Sequence, residues 1–208
     1  MKKLNIIAIL SLVLVAVSSC SKNDPVPEID QEEVGTAKLI FTEVEREAHG
    51  DHYHYNDIKD AKVESISFSG STMAPPVGAH LHLEVGKTYR LDLVATDFMG
   101  RETQQTFVQR EDVHQAFILG AAEKSLTYVY ADKDESGKRV NVGVKGYLTV
   151  EQESKTYVLR YIMRHLNTGV KARITAADWN NSNFTQFTGA NDLDLKAELH
   201  LVSAPHTH

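Results

Sequence analysis

The chain of 208 residues contains one cysteine, Cys20, and it lacks the common catalytic motifs. Without further cysteines, the domain that follows Cys20 has no disulfide and no thiolate to act as nucleophile or metal ligand. Any metal site must therefore be built from imidazole and carboxylate groups. There is no Gly-rich phosphate loop, no His-Glu-x-x-His helix and no Gly-x-Ser-x-Gly elbow. These absences favour a binding protein over an enzyme.

Basic residues are also scarce: the sequence has 22 Lys and Arg against 28 Asp and Glu. Two of the lysines, Lys2 and Lys3, belong to an N-terminal leader, and without them the chain has a net charge of −8 with neutral histidines. An acidic surface repels the phosphates of nucleic acids and anionic lipids, and it attracts cations. We therefore expect a cation, and no nucleic acid, among the partners.

The first nineteen residues have the pattern of a signal peptide. A basic start, Met1-Lys2-Lys3, precedes an apolar run from Leu4 to Val17 that is short for a membrane-spanning helix. The run ends in Val17-Ser18-Ser19-Cys20, which resembles a bacterial lipobox. The resemblance implies cleavage before Cys20 and acylation of that residue, which would anchor the protein stably in a membrane.

Four segments follow from these patterns. We assign residues 1–19 to a lipoprotein signal peptide and residues 20–35, which are polar and acidic, to the lipidated cysteine and a flexible tether. From Thr36 onward, apolar and polar residues alternate in eight or nine short runs, a pattern typical of strands joined by hairpins. Residues 36–203 are thus predicted to form an all-β, antiparallel immunoglobulin-like β-sandwich with one short helix, begun by the capping-box-like Thr175-Ala176-Ala177-Asp178. Residues 204–208 form a tail that contains His206 and His208.

The histidines are the candidate functional residues. The segment His49-Gly50-Asp51-His52-Tyr53-His54 places three imidazoles and a carboxylate within six residues. In His80-Leu81-His82-Leu83, alternation directs the leucines inward and both imidazoles to one outer face. By the same reasoning the closing strand places His200, together with Asp192 and Asp194, on the solvent face. His165 shares the core face with Met163 and is predicted to be structural, whereas the face of His114 cannot be assigned.

Imidazole is a preferred ligand of zinc, and a site without thiolates suits this ion, with copper(II) or nickel as alternatives. We predict that His52, His54, His80 and His82 come together around one cation, with His49, Asp51 and His200 as further candidate ligands. Imidazole binds metal only when it is unprotonated, so binding is expected to weaken as the pH falls through about 6.5.

The whole chain resembles small envelope lipoproteins of Bacteroidota. The resemblance is carried by the lipobox, the His49–His54 segment, Val113-His114-Gln115-Ala116-Phe117 and Ile162-Met163-Arg164-His165-Leu166. It implies a protein that is lipid-anchored in the outer membrane, on the cell surface or the periplasmic face, and serves a TonB-dependent receptor for metal or haem. Two other hypotheses remain open: haem binding through two histidines or a His/Met pair, and a structural or adhesive module of such a receptor.

Overall fold

The computed structural model describes residues 33–203, so the predicted signal peptide, Cys20 and the tail with His206 and His208 lie outside the described part. Within that part, twelve strands are formed. They are β1 (Thr36–His49), β2 (His52–Asp57), β3 (Val63–Phe68), β4 (His80–Glu84), β5 (Thr88–Thr96), β6 (His114–Leu119), β7 (Leu126–Tyr130), β8 (Asp132–Lys133), β9 (Arg139–Val140), β10 (Lys145–Val150), β11 (Ser154–Leu166) and β12 (Gly189–Val202).

The strands form two sheets and a short ribbon. Sheet I has the order β2-β1-β5-β10-β7, and β3 also pairs with β1. Sheet II has the order β4-β12-β11-β6, and β8 pairs with β9 alone. The described pairs are antiparallel except β4 with β12, which run parallel. The predicted all-β sandwich is confirmed with this one parallel exception, and its immunoglobulin-like character stays a prediction.

The core lies between the two sheets because alternate residues of facing strands point into it. Sheet I contributes Phe41 and Leu91, both almost fully buried. Sheet II contributes Leu81 and Leu199, which are adjacent across the parallel pair. Alternation therefore leaves the histidines of β4 and β12 on the outer face of sheet II.

Between residues 33 and 203, four short helices connect the strands. Helix α1 (Gln104–Gln109) precedes β6. Three 3₁₀ helices, Lys171–Arg173, Ala176–Asn180 and Phe184–Gln186, lie between β11 and β12. The predicted capping box at Thr175 and Asp178 is present. Phe184 and Phe187 pack with Phe117 and Ile162, so this connection covers part of the outer face of sheet II.

Two residues assigned to the tether already contact the sandwich. Val34 packs against the core, and the Gly35 N–H donates to the Thr96 carbonyl at 2.7 Å. Among residues 33–203, no helix has the length and apolar character needed to cross a bilayer.

Close packing at the start of β12 generates a first prediction. A Cβ atom on Gly189 would lie 2.0 Å from the His165 carbonyl oxygen. Backbone rather than a flexible side chain would have to move, so Gly189→Ala should destabilise the protein by about 1–3 kcal/mol. Gly50→Asn is the control, since Gly50 has open space around it and a φ of 65°, which Asn tolerates. Urea denaturation of both variants measures the loss of stability. Equal midpoints for Gly189→Ala and Gly50→Asn would contradict the prediction.

A second prediction concerns Asp132, a buried residue of β8. Its carboxylate accepts hydrogen bonds from the Gly143 N–H at 2.5 Å and the Lys145 N–H at 2.8 Å, and burial raises its pKa from 3.8 to about 6. The folded state thus retains a proton that the unfolded chain releases near pH 3.8. Stability contributed by this group is therefore lost as the pH rises from about 4 to about 6, by at most about 3 kcal/mol.

Asp132→Asn should remove that pH dependence, although it also loses one acceptor. The stability difference between the natural protein and Asp132→Asn, measured by denaturant titration at pH 4 and pH 7, should shift in favour of the variant at the higher pH. A difference that is constant with pH would show that the carboxyl titrates normally.

Candidate metal centre

The β1–β2 hairpin brings three histidines together. His49 pairs directly with His52 across a two-residue loop, Gly50-Asp51, and His54 follows on the same face of β2 as His52. Gly50, with its φ of 65°, occupies the first loop position, where a type II′ turn requires a positive φ. One ligand atom from each of His49, His52 and His54 can be chosen so that all three lie within 4.8 Å of one another. We call these three residues the hairpin triad.

Hydrogen bonding orients the central ring of the hairpin triad. His52 Nδ1 lies 3.2 Å from Asp51 Oδ1, and His52 Nε2 lies 3.1 Å from His54 Nε2. A carboxylate that accepts the Nδ1 proton leaves the Nε2 lone pair available, which is how metal-binding histidines are commonly held. A tetrahedral zinc site with bonds of about 2.0–2.1 Å separates its ligand atoms by about 3.3 Å, close to the observed Nε2–Nε2 distance.

The hairpin is exposed at its tip and fixed at its base. His49, His52 and His54 are all exposed. Nearer the base, the Tyr55 ring stacks on Tyr147 of β10 at 3.8 Å with an interplanar angle of 5°. Arg46 of β1 also donates to Glu151 Oε1 at 3.2 Å. These contacts attach the hairpin to sheet I and leave the triad accessible to solvent.

A second group of imidazoles lies on the outer face of sheet II. His82 pairs with His200 across the parallel strands, and His80 precedes His82 by two residues. The three ring centroids are 4.8–5.3 Å apart. Both ring nitrogens of His200 already have partners, Thr156 Oγ1 at 2.9 Å and Glu198 Oε1 at 2.8 Å. We call His80, His82 and His200 the sheet triad.

The seven predicted ligands thus fall into two groups. His49, Asp51, His52 and His54 lie on the hairpin of sheet I, and His80, His82 and His200 lie on sheet II. The described residues do not combine His52 and His54 with His80 and His82 in one cluster. The expectation of a single site shared by both runs was wrong because the two runs belong to strands of different sheets. The first run forms a cluster of its own three histidines, whereas the second gains His200 from β12.

A third cluster, which the sequence did not reveal, is buried at one end of the core face of sheet II. His114 of β6 pairs directly with His165 of β11, and Asp192 of β12 lies beside them. Asp192 was predicted on the solvent face, and this is wrong: its side chain is fully buried. We call His114, His165 and Asp192 the buried triad.

A β-bulge explains the error. The β11–β12 register passes from Met163↔Leu193 to Arg164↔Asn191, so Asp192 is left without an opposite residue. Such an extra residue locally breaks the alternation of faces and re-aims a side chain. The neighbouring backbone is held by Arg164, whose guanidinium donates to the Phe187 carbonyl at 3.0 Å, the Gly189 carbonyl at 3.0 Å and Asn191 Oδ1 at 2.6 Å.

Comparison of the chain with protein-family models, curated proteins and solved structures found no match. Its function is therefore inferred from its own residues.

The core-face prediction for His165 is confirmed, since 5% of the residue is exposed.

The surroundings of the buried triad are well ordered by hydrogen bonds. His114 Nδ1 lies 3.0 Å from the Arg110 carbonyl oxygen, and His114 Nε2 lies 3.1 Å from Asp192 Oδ2. The Lys171 ammonium group donates to the backbone carbonyls of His114 and Asn141. Burial lowers the pKa of Lys171 from 10.5 to about 8. These bonds fix β6, and with it His114, against the neighbouring segments.

Proposed function

We propose that this protein is a lipid-anchored envelope protein that captures a divalent transition-metal ion, zinc before copper or nickel, and supports its uptake or buffering. The observation that carries the proposal is the hairpin triad, in which three imidazoles lie close enough to bind one ion. Three protein ligands with water in the fourth position are a common zinc environment. The absence of a thiolate ligand from this group favours zinc over copper(I).

Exposure of the triad supports capture rather than catalysis. Side-chain exposure is 59% for His52 and 102% for Asp51, so the bound ion would stay in contact with bulk water. Catalytic metals are usually enclosed by a cavity that excludes solvent. An ion held at a hairpin tip can instead exchange readily with a partner. The excess of acidic over basic residues in the chain would also attract cations to the surface.

The sheet triad is a weaker, auxiliary site in this proposal, because its three rings do not form a group whose ligand atoms all lie within 4.8 Å of one another. Binding an ion there requires His200 to give up its contact with Thr156 or with Glu198. His80 Nδ1 is also occupied, since it lies 2.9 Å from the Gly78 carbonyl oxygen. Those lost hydrogen bonds oppose metal binding, so the sheet triad should bind more weakly than the hairpin triad.

The site of action in the proposal comes from the sequence. The lipobox-like Val17-Ser18-Ser19-Cys20 supports anchoring in the outer membrane, and the resemblance to Bacteroidota envelope lipoproteins supports delivery of the ion to a TonB-dependent receptor. In a complex with such a receptor, the tip of the β1–β2 hairpin would have to face the receptor's metal site, because the ion would be transferred from that tip.

The prediction for this site is saturable zinc binding with a Kd of about 1 µM or tighter at pH 7.5, measured by isothermal titration calorimetry of the purified protein. His52→Ala should weaken that binding at least about tenfold, because it removes the ligand that lies between Asp51 and His54. His80→Ala is the matched control on the other sheet and should leave zinc binding by the hairpin triad unchanged. At pH 5.5 the affinity should fall, since protons compete for the imidazoles.

Two outcomes would contradict the proposal. Absence of saturable binding would remove the metal function, and equal losses in His52→Ala and His80→Ala would show that the hairpin triad is not the principal site. Addition of haemin in the same series separates the haem hypothesis, since a shift of the Soret band that depends on these histidines would indicate haem ligation.

A further inference from the structure

We infer that His114, His165 and Asp192 form a second metal site, a buried one that holds a structural divalent ion of the zinc class. This site is separate from the hairpin triad in sequence, sheet and exposure. It goes beyond the proposed capture function and does not depend on it, because an ion in the core would stabilise the fold rather than exchange with a partner.

The distances within the buried triad fit a metal ion. His114 Nε2 and His165 Nδ1 lie 3.1 Å and 3.6 Å from the same oxygen, Asp192 Oδ2. These values bracket the ligand separation of about 3.3 Å that follows from tetrahedral bonds of about 2.0–2.1 Å. All three ligand atoms lie within 4.8 Å of one another, so a small shift of the side chains would place them around one centre. Two histidines and one carboxylate are a familiar ligand set for divalent zinc.

The hydrogen bonds of His114 require either a proton or a metal ion between its Nε2 atom and Asp192. The Arg110 carbonyl can only accept, so His114 Nδ1 carries a proton. In a neutral ring, Nε2 would then direct its lone pair at a carboxylate oxygen 3.1 Å away. That arrangement is repulsive unless a proton or a metal ion lies between the two atoms. A metal-bound histidine usually donates the N–H of its other ring nitrogen to a carbonyl or carboxylate, as His114 Nδ1 does to the Arg110 carbonyl.

Asp192 supplies an independent indication of a ligand. Its side chain is fully buried, and its second oxygen, Oδ1, has no hydrogen-bond partner in the part of the chain that is described. An unsatisfied buried carboxylate oxygen is costly, and a divalent ion would compensate for it. In the metal-bound state, Oδ1 or a water molecule would occupy the fourth position. The β-bulge would then serve metal binding, because it turns the Asp192 side chain into the core.

The position of the triad explains how the ion would act. The three ligands come from three adjacent strands, β6, β11 and β12, and no such arrangement exists in the unfolded chain. Metal binding there is therefore coupled to folding. His114 and Asp192 side chains are fully buried, so release of the ion requires local opening of the sheet. We expect slow exchange and a large gain in thermal stability.

The experiment uses the whole chain with both surface triads removed. In this background His49, His52, His54, His80, His82 and His200 are replaced by Gln. After refolding with zinc and brief treatment with a chelator, elemental analysis should find about one zinc per chain, and the melting temperature should fall when prolonged chelation removes it. Replacement of zinc by cobalt should give the visible d–d absorption of a four-coordinate site, which reports the ligand geometry directly.

Asp192→Asn, made in the same background, tests the assignment of the ligands. It keeps the size of the side chain but weakens metal binding, so the retained zinc and the cobalt spectrum should both be lost. If this variant does not fold, the cobalt spectrum and zinc content of the background protein decide. A folded background protein that retains no zinc and melts at the same temperature with and without it overturns the inference and leaves a His114–Asp192 hydrogen bond. Zinc retained equally by Asp192→Asn also overturns it, since the ion would then be bound elsewhere.

The two metal proposals fail separately. Loss of zinc capture in His52→Ala with one slowly exchanging ion remaining would support both. A background protein without a retained ion, alongside normal capture by the natural protein, would overturn the buried site alone.

Discussion

Burial of every second side chain in the facing strands is the constraint on which the arrangement of the histidines depends. Leu81 and Leu83 of β4, and Leu199 and Leu201 of β12, fill the core between the sheets. Their burial by the hydrophobic effect fixes the register of the strands, since a slip of one residue would expose all four. With the register fixed, His80, His82 and His200 have no position except the outer face. The packing of the leucines that alternate with them therefore places His80, His82 and His200 side by side on the surface.

The β-bulge at Asp192 interrupts this rule at one place and changes what the sheet can do there. If β12 kept regular alternation, Asp192 would join Asp194 on the outer face, where Asp194 binds Arg160 at 2.6 Å. The bulge instead adds a carboxylate to the core face, beside a histidine pair that alternation had already buried. Arg164 stabilises the distorted backbone through three hydrogen bonds to residues 187–191. Bulges of this kind are common beside functional sites, where they re-aim a side chain.

The sequence predicts those features that depend on local periodicity. The all-β sandwich, the outward His80–His82 pair, the inward His165 and the capping box at Thr175 all follow from alternation or from local hydrogen-bonding motifs. Features that depend on which strands become neighbours could not be predicted. His200 reaches His82 only because β12 pairs with β4 in parallel, across more than a hundred residues of sequence. Asp192 was misassigned because a bulge leaves no distinct signal in the residues around it.

The hairpin triad and the buried triad use similar ligands, and their difference lies in solvation. In the hairpin triad, water would compete for a bound ion and for the imidazoles, so binding and release would need little reorganisation. In the buried triad, the fully buried carboxylate of Asp192 is poorly solvated without a counter-charge, and an ion there is stabilised by strong electrostatic interaction at low effective dielectric. The same ion would thus be exchangeable at the hairpin and structural in the core. A fold that is rigid around one ion could present another at its surface without losing its own.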